Sequence, residues 1–476
     1  MERLRSPPQK RVKTQTSEPV FSGYRFEVFL NDDVEPTVNR KDFNRRAFYE
    51  LFEKDWKCKP SNKRFAGLES VLLMTFAVSR ELIRPLLEKG VKLVLANDCG
   101  TGIKKTLVQR PEEFPNFMGV YPKKDFIEQN LSASFHPKLF MLKFNDRLRV
   151  IIGNGNLLVQ DWSFWDNAFW SRDYMLSVHP EEETKSSDLE ENAIDGLLFA
   201  KELQHYVKFS MGEKWDIVKE FLNFNDDTFS FVEKEACLVT SLPGQWTPED
   251  QYLTSLYQLR RALKTHQPST PYSLENTSFF YIASSIGSLN IKLMSDFAES
   301  VYADQKNCIK GSLSDKQQLI KSFSVFYPSR SYIEASIHGD HVTSCLFLRK
   351  NDFKSFKFPK GVLKSYQRDT GEDCQAEKKS KDRIPHLKVG LITNSGSEVN
   401  DDSLIYIGSH NFTAAAWGKL EKDKPQSLVF NYELGVLIPP KTGSKASKEA
   451  IMKTIGVRLT APDLDKDHEP FFSSEN

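Results

Sequence analysis

Two histidine–lysine pairs carry most of the chemistry that this sequence can support. His136 and Lys138 stand in FHPKLFMLKF, and His386 and Lys388 stand in PHLKVGLI, 250 residues further on. Each pair is followed by a second apolar run that ends in glycine and small polar residues, with an asparagine last. LRVIIGNGNLL carries Asn156 and SLIYIGSHNFTAAAW carries Asn411. From Lys to Asn is 18 positions in the first copy and 23 in the second. One His-x-Lys on an apolar strand arises by chance in many proteins; two with the same downstream context are a repeat. Together they supply two imidazoles, two ammoniums and two amides. If the copies face each other about a pseudo-twofold axis, that set suits a phosphodiester: donors surround the non-bridging oxygens and the histidines flank the phosphorus. Neither copy brings a nearby carboxylate or cysteine to complete a metal site, so neither metal nor cofactor is expected. His410, beside Asn411, points the other way by alternation and is left out of the set.

The surrounding elements must place these groups. Residues i and i+2 of a strand share a face, so each His and Lys should project together. Leu68–Val78 reads as a central strand or the start of a buried helix. Glu81–Lys89 reads as a helix limited by Pro85 and ended by Gly90, and Val91–Ala96 as a buried strand. That order implies a βαβ unit and a largely parallel sheet. Further strands are expected at Leu139–Phe144 and Leu148–Ile152. In the second half they are expected at Ala236–Thr240, Phe279–Ala283, Ser322–Phe326, Cys345–Leu348, His386–Leu391, Leu404–Ile407 and Glu433–Ile438. The fold class is therefore α/β: two similar α-β-α sandwich domains with mixed, largely parallel sheets. Residues 21–220 form the first domain and 221–476 the second, with the boundary near 210–230. A charged surface insertion is expected at about 364–383.

Composition narrows the function classes. The chain has 476 residues, 39% hydrophobic and 12% aromatic, enough for more than one core and unlike a disordered protein. Lys and Arg number 65 against 64 Asp and Glu, so a globally basic nucleic-acid coat is excluded, whereas a local basic groove is not. The six cysteines form no CxxC pair and read as reduced thiols. No secretory signal or membrane span is expected, and nothing implies an oligomer. Residues 1–20, with Arg3, Arg5, Lys10, Arg11 and Lys13 among polar residues, read as a basic tail suited to nuclear targeting or contact with nucleic acid.

The motif pair resembles the duplicated HKD signature of the phospholipase D superfamily, and specifically its tyrosyl-DNA phosphodiesterase branch. The superfamily's aspartate, five positions past each lysine, is replaced here by Lys143 and Thr393, as is usual in that branch. SSIGSLN at 284–290, FSVFYPS at 323–329, SHNFTAAAWG at 409–418 and NYELGVLIPP at 431–440 extend the likeness over roughly residues 21–445.

The resemblance implies a role for each residue. His136 is similar to the family's nucleophile and His386 to its general acid and base; Lys138, Lys388, Asn156 and Asn411 look like the phosphate clamp. Glu433 matches the glutamate that orients the nucleophile. Asn167 stands where the family has a glutamine that orients the second histidine. Ser285, Ser288, Ser409 and Gly155 are expected against the DNA. The family's DNA-stacking aromatic, four residues before the nucleophile, is Ser132 here, with Phe135 on a different register. The implied substrate is DNA carrying a 3′-phosphotyrosyl peptide left by topoisomerase I, single-stranded or frayed, cleaved by a nuclear, monomeric enzyme through a phosphohistidine without a metal. Other 3′ or 5′ adducts are extensions of the same chemistry. The alternatives are a phospholipase D-like phosphodiesterase or nuclease on another substrate, and a non-catalytic DNA-end-binding protein.

Overall fold

Both faces of the central strands are apolar because both are covered. In strand β2 (Leu68–Thr75), Leu72 and Met74 enter one core while Val71 and Leu73 enter another. Strand β13 (Leu404–Gly408) divides its residues in the same way, with Ile405 and Ile407 on one side and Leu404 and Tyr406 on the other. This is why the segments read as continuous hydrophobic runs. The structure is a computed structural model. It describes residues 26–31, 45–54, 65–98, 100, 104–124, 133–176, 196–250, 253–303, 309, 311–336, 339–368, 383–421, 427–465 and 468–473. The basic tail, most of the 364–383 insertion and Ser132 lie outside the described residues.

The first sheet contains β1 (Glu27–Asn31), β2, β3 (Lys92–Asn97), β4 (Phe117–Tyr121), β5 (Leu139–Phe144), β6 (Arg147–Gly153) and β7 (Ala168–Met175). Their spatial order is β1-β7-β6-β5-β2-β3-β4, with short strands Arg45–Arg46 and Leu107–Gln109 at the edges. The second contains β8 (Cys237–Ser241), β9 (Ser278–Ile282), β10 (Phe323–Tyr327), β11 (Leu363–Ser365), β12 (Val389–Thr393), β13 and β14 (Glu433–Ile438), in the order β8-β14-β13-β12-β9-β10-β11. Each strand has its counterpart seven later, in the same spatial place and with the same parallel or antiparallel neighbours. The chain therefore folds as a duplicated seven-strand unit.

Both sheets are mixed, but the parallel share is smaller than expected. Only β2-β3-β4 and β9-β10-β11, with the edge pair at β1, run parallel. The motif-bearing strands β5, β6 and β7, and β12, β13 and β14, pair antiparallel with one another. The βαβ unit is present as β2, helix α1 (Arg80–Glu88) and β3. Pro85 does not end α1. The carbonyl its missing N–H leaves unbonded is that of Glu81, toward which the Tyr49 hydroxyl is directed at 3.4 Å. The expected strand Cys345–Leu348 is reduced to one bridge, Ser285 with Phe347.

A shared core joins the halves. Val150 and Ile152 of β6 and Ile407 and Val436 of β13 and β14 lie in one cluster with helix α2 (Leu198–Met211), which carries Leu203, Tyr206 and Met211. The C-terminal helix α3 (Lys445–Ile455) returns to the first half, placing Ile451 and Ile455 in the cluster with Val28 and Leu30 of β1. The two units are interlocked, and the strands that precede the asparagines face each other across that core. No helix of the described residues is long and apolar enough to cross a membrane.

Candidate active site

Each histidine is held by the opposite half. His136 lies just before β5, and its backbone N–H donates to the carbonyl of Tyr432 at 3.1 Å. The next residue, Glu433, begins β14, and its Oε2 accepts from His136 Nδ1 at 2.8 Å. His386 lies just before β12, and its N–H donates to the carbonyl of Asp166 at 2.9 Å. The next residue, Asn167, accepts from His386 Nδ1 at 2.8 Å through Oδ1. The His-x-Lys segments are thus not on the strands, as the sequence implied, but immediately before them. The histidine N–H groups are taken by the other half, while the lysine carbonyls still accept from the neighbouring strand, from Gly153 N at 3.1 Å and Gly408 N at 3.3 Å. Lys138 and Lys388 are buried, and each ammonium donates to the carbonyl of its own histidine, at 2.8 and 2.7 Å.

The turns after β6 and β13 explain the glycines and the asparagines. Asn154 is buried between the halves: its Nδ2 donates to the carbonyl of Gly408 at 2.6 Å and that of Lys388 at 3.2 Å, and its Oδ1 accepts from Ala168 N at 2.7 Å. Ser409 is the equivalent residue. It is fully buried, and its hydroxyl donates to Glu433 Oε2 at 2.5 Å and accepts from Leu434 N at 2.9 Å. Ser409 therefore braces Glu433 and does not reach a strand surface as expected. Gly155 is likewise buried, away from any DNA-facing surface. A Cβ there would come within 2.8 Å of the Phe169 ring and 3.0 Å of Asn167 Cγ, so its lack of a side chain makes room for Asn167. That space lets the shorter amide reach His386.

Asn411 Oδ1 accepts from Ser285 N at 3.0 Å, which turns its Nδ2 outward as a donor. Asn156 is pinned by Asp161: its backbone N donates to Oδ1 at 2.9 Å and its Nδ2 to Oδ2 at 3.3 Å. Asp161 is fully buried, and its Oδ1 is also 3.0 Å from His386 Nδ1. The His386 N–H is therefore shared between Asn167 and a carboxylate, and both histidines have an acid behind them. Sequence reasoning missed Asp161 because the repeat hides it: five positions past Asn411 stands Ala416. Its signal was local, a lone Asp within the apolar NLLVQDW.

The charges are tightly coupled. Burial lowers the His136 pKa, Glu433 opposes this, and Lys138 and Lys388 lower it again. Burial, then Lys388, pushes His386 down to about 3 against the pull of Asp161, and Lys138 adds to the depression. Lysines from both halves therefore act electrostatically on both histidines. Burial lowers Lys138 strongly, with Lys388 adding to it, and brings Lys388 itself down to about 7. Burial raises Glu433, but His136, His410 and Lys138 outweigh it, and the carboxyl sits below its ordinary value. With Nδ1 of each histidine occupied, Nε2 is the nitrogen left for chemistry. His410 is fully buried, bonded to Ser241 Oγ at 2.9 Å and Tyr406 OH at 2.5 Å, apart from the substrate side as alternation indicated.

A cavity of about 420 Å³ opens over His136, Glu433 and Asn411, with Ser285 and Ser288 in its wall. Ser288 is exposed, its hydroxyl donating to Asp352 Oδ1 at 3.2 Å. Phe135 is buried against Tyr432 and is unavailable for stacking. Two aromatics that the sequence did not single out stand exposed at the site. Phe76 has its ring 5.6 Å from that of His136, and Phe347 lines the cavity.

A duplicated mixed α/β unit that carries a His-Lys-Asn set in each half, each histidine held by the other half, has the organisation of a phospholipase D-like protein. The fold agrees: the crystal structure of yeast tyrosyl-DNA phosphodiesterase is similar with a TM-score of 0.58, at 14% identity over 88% of this chain and 90% of that one. A mutant form of the yeast enzyme gives a TM-score of 0.56, at 15% identity over 89% and 91%. The sequence profile of the tyrosyl-DNA phosphodiesterase family matches residues 68–471, and the chain belongs to that family. Tyrosyl-DNA phosphodiesterase 1 of Arabidopsis thaliana is 24% identical over 311 residues, 65% of this chain. The aligned stretch covers 47% of that relative, so this chain spans about half the length of the curated protein it matches.

Proposed function

We propose that this protein is a DNA-repair phosphodiesterase that hydrolyses the bond between a DNA 3′-phosphate and a tyrosine of a topoisomerase I-derived peptide. The observation that carries this reading is the exchange of anchors: Nδ1 of each histidine is held from the other half, by Glu433 and by Asn167 with Asp161. That arrangement fixes the tautomer of both rings and leaves each Nε2 free of these anchors for the substrate.

His136 attacks phosphorus through the Nε2 lone pair, forming a P–N bond as the P–O bond to tyrosine breaks. His386, protonated at Nε2, gives its proton to the departing phenolate. It then takes a proton from water, which attacks phosphorus; the P–N bond breaks and His136 is regenerated with a 3′-phosphate as product. Lys138, Lys388, Asn156 and Asn411 act on the equatorial oxygens, where charge builds in the transition state. Burial and the lysines hold His386 neutral. A bound phosphodiester places a negative charge among these groups and raises its pKa toward the working range, so that substrate itself arms the acid. The protein works as a nuclear monomer, needs no metal, and binds single-stranded or frayed ends.

The test is turnover of a single-stranded oligonucleotide bearing 3′-phosphotyrosine, with EDTA present and phosphatidylcholine as a parallel substrate. Release of a 3′-phosphate oligonucleotide is expected, with no lipid cleavage. Loss of activity in EDTA, lipid hydrolysis, or binding without turnover would each overturn the reading.

A further inference from the structure

We infer that Phe347 is a base-stacking platform that holds a nucleobase at the 3′ end of the bound strand. The inference rests on the reading of the cleft as a phosphodiester site with nucleic acid on one side.

Phe347 shares the cavity wall with His136, Asn411 and Ser285. Its ring is 39% exposed, while its neighbours Leu346 and Leu348 are buried, so alternation anchors the chain on both sides and presents the ring outward. The backbone is fixed as well. Phe347 N donates to the Ser284 carbonyl at 2.9 Å, and Ile286 N to the Phe347 carbonyl at 3.0 Å. Ser285, between them, donates its N–H to Asn411 Oδ1. The ring is therefore tied to the phosphate-clamp asparagine through one short backbone ladder, and ordering it on binding costs little.

A large apolar ring left in water forgoes burial that a flat partner can restore. The Arg349 guanidinium carbon lies 5.3 Å from the ring centroid, and Lys419 lines the same cavity. An exposed aromatic ring with a guanidinium beside it and a lysine in the same cavity wall matches the needs of a single strand, which offers stacked bases and a run of phosphates; a peptide supplies no such run. Phe135 cannot serve, being buried.

The experiment compares full-length wild type with Phe347→Ala and Phe347→Trp. One arm measures KM for a single-stranded 3′-phosphotyrosyl oligonucleotide and for the same strand lacking its last two bases. The other measures quenching of 2-aminopurine near the end of a 3′-phosphate oligonucleotide, which needs no turnover. Phe347→Ala should raise KM roughly 5- to 100-fold for the base-bearing strand with kcat nearly unchanged, and abolish the quenching. Phe347→Trp should restore both, and the abasic substrate should be indifferent to the change. An unchanged KM, an equal effect on the abasic strand, or an effect that follows an aromatic residue of the peptide would each refute the platform. Absence of turnover by wild type would instead refute the underlying reading, while the quenching arm would still decide the role of Phe347.

Discussion

His136 and Glu433 lie 297 residues apart in sequence, yet Nδ1 and Oε2 meet at 2.8 Å, and Ser409 holds the same carboxylate oxygen from beneath. The contact is possible because the backbone of Tyr432 receives the His136 N–H and delivers the next residue to its ring. Glu433→Gln keeps the shape but offers an amide that can turn its NH₂ toward Nδ1, which would leave the proton on Nε2 and block attack. We expect kcat to fall on the order of 10²- to 10⁴-fold, with less phosphohistidine formed in the first turnover. Quench-flow measurement of the covalent adduct checks this; a loss confined to KM would contradict it.

The two histidines should fail differently. His136→Ala removes the proposed nucleophile, so neither product nor adduct should form. In His386→Asn the tyrosyl group is still a fair leaving group, but nothing activates water for the second step. A protein–DNA adduct should accumulate and persist, visible by denaturing gel. An adduct in the first variant, or none in the second, would reverse the assignment.

Asp161 supports the second histidine and the clamp together, through His386 Nδ1 and both nitrogens of Asn156. Its charge and its hydrogen bond raise the His386 pKa against burial. Asp161→Asn should therefore depress His386 further and shift the acid-dependent limb of the kcat profile to lower pH. A merely structural role would lower activity equally at every pH.

The sequence disclosed the repeat because duplicated catalytic residues keep their types and local context: His-x-Lys, a following glycine-ended strand, and an asparagine. Most strands were legible for a related reason, since each is apolar on both faces. What escaped detection depended on the space between the halves. Asn154 crosses to Lys388 and Gly408, and nothing in IGNGN says which asparagine bridges the cores. Ser409 had the composition of a surface contact but faces inward to Glu433. Sheet direction was misjudged because one βαβ unit was extended to the motif-bearing strands, which pair antiparallel.

Gly155 offers a packing test of the same space. In Gly155→Ala the new methyl would press on Phe169 and Asn167. Overpacking of this kind destabilises by about 1–3 kcal/mol, and it would push Asn167 from His386. We expect a lowered thermal midpoint together with slower adduct resolution. Asn167→Gln in the same background should worsen both, because the longer side chain needs the room the methyl has taken.

The buried histidines are set against protons, and this has two measurable consequences of opposite use. Burial is the leading cause of depression for His136, for His386 at about 3 and for His410 at about 4. An unfolded histidine titrates near about 6.5, so below that pH the unfolded chain binds protons that the native state refuses. Stability should therefore fall steadily as pH drops from about 7 toward 4. His386→Asn should flatten that slope by removing one of the three groups, as chemical denaturation at several pH values would show. Binding of an anion works in the other direction. Inorganic vanadate among Lys138, Lys388 and the two histidines would raise the depressed groups, so its binding should take up protons and strengthen as pH falls from 8 to 6. Calorimetry in buffers of different ionisation enthalpy reads that uptake directly. A binding reaction that releases protons or leaves them unchanged would show that the acid is not armed by its substrate.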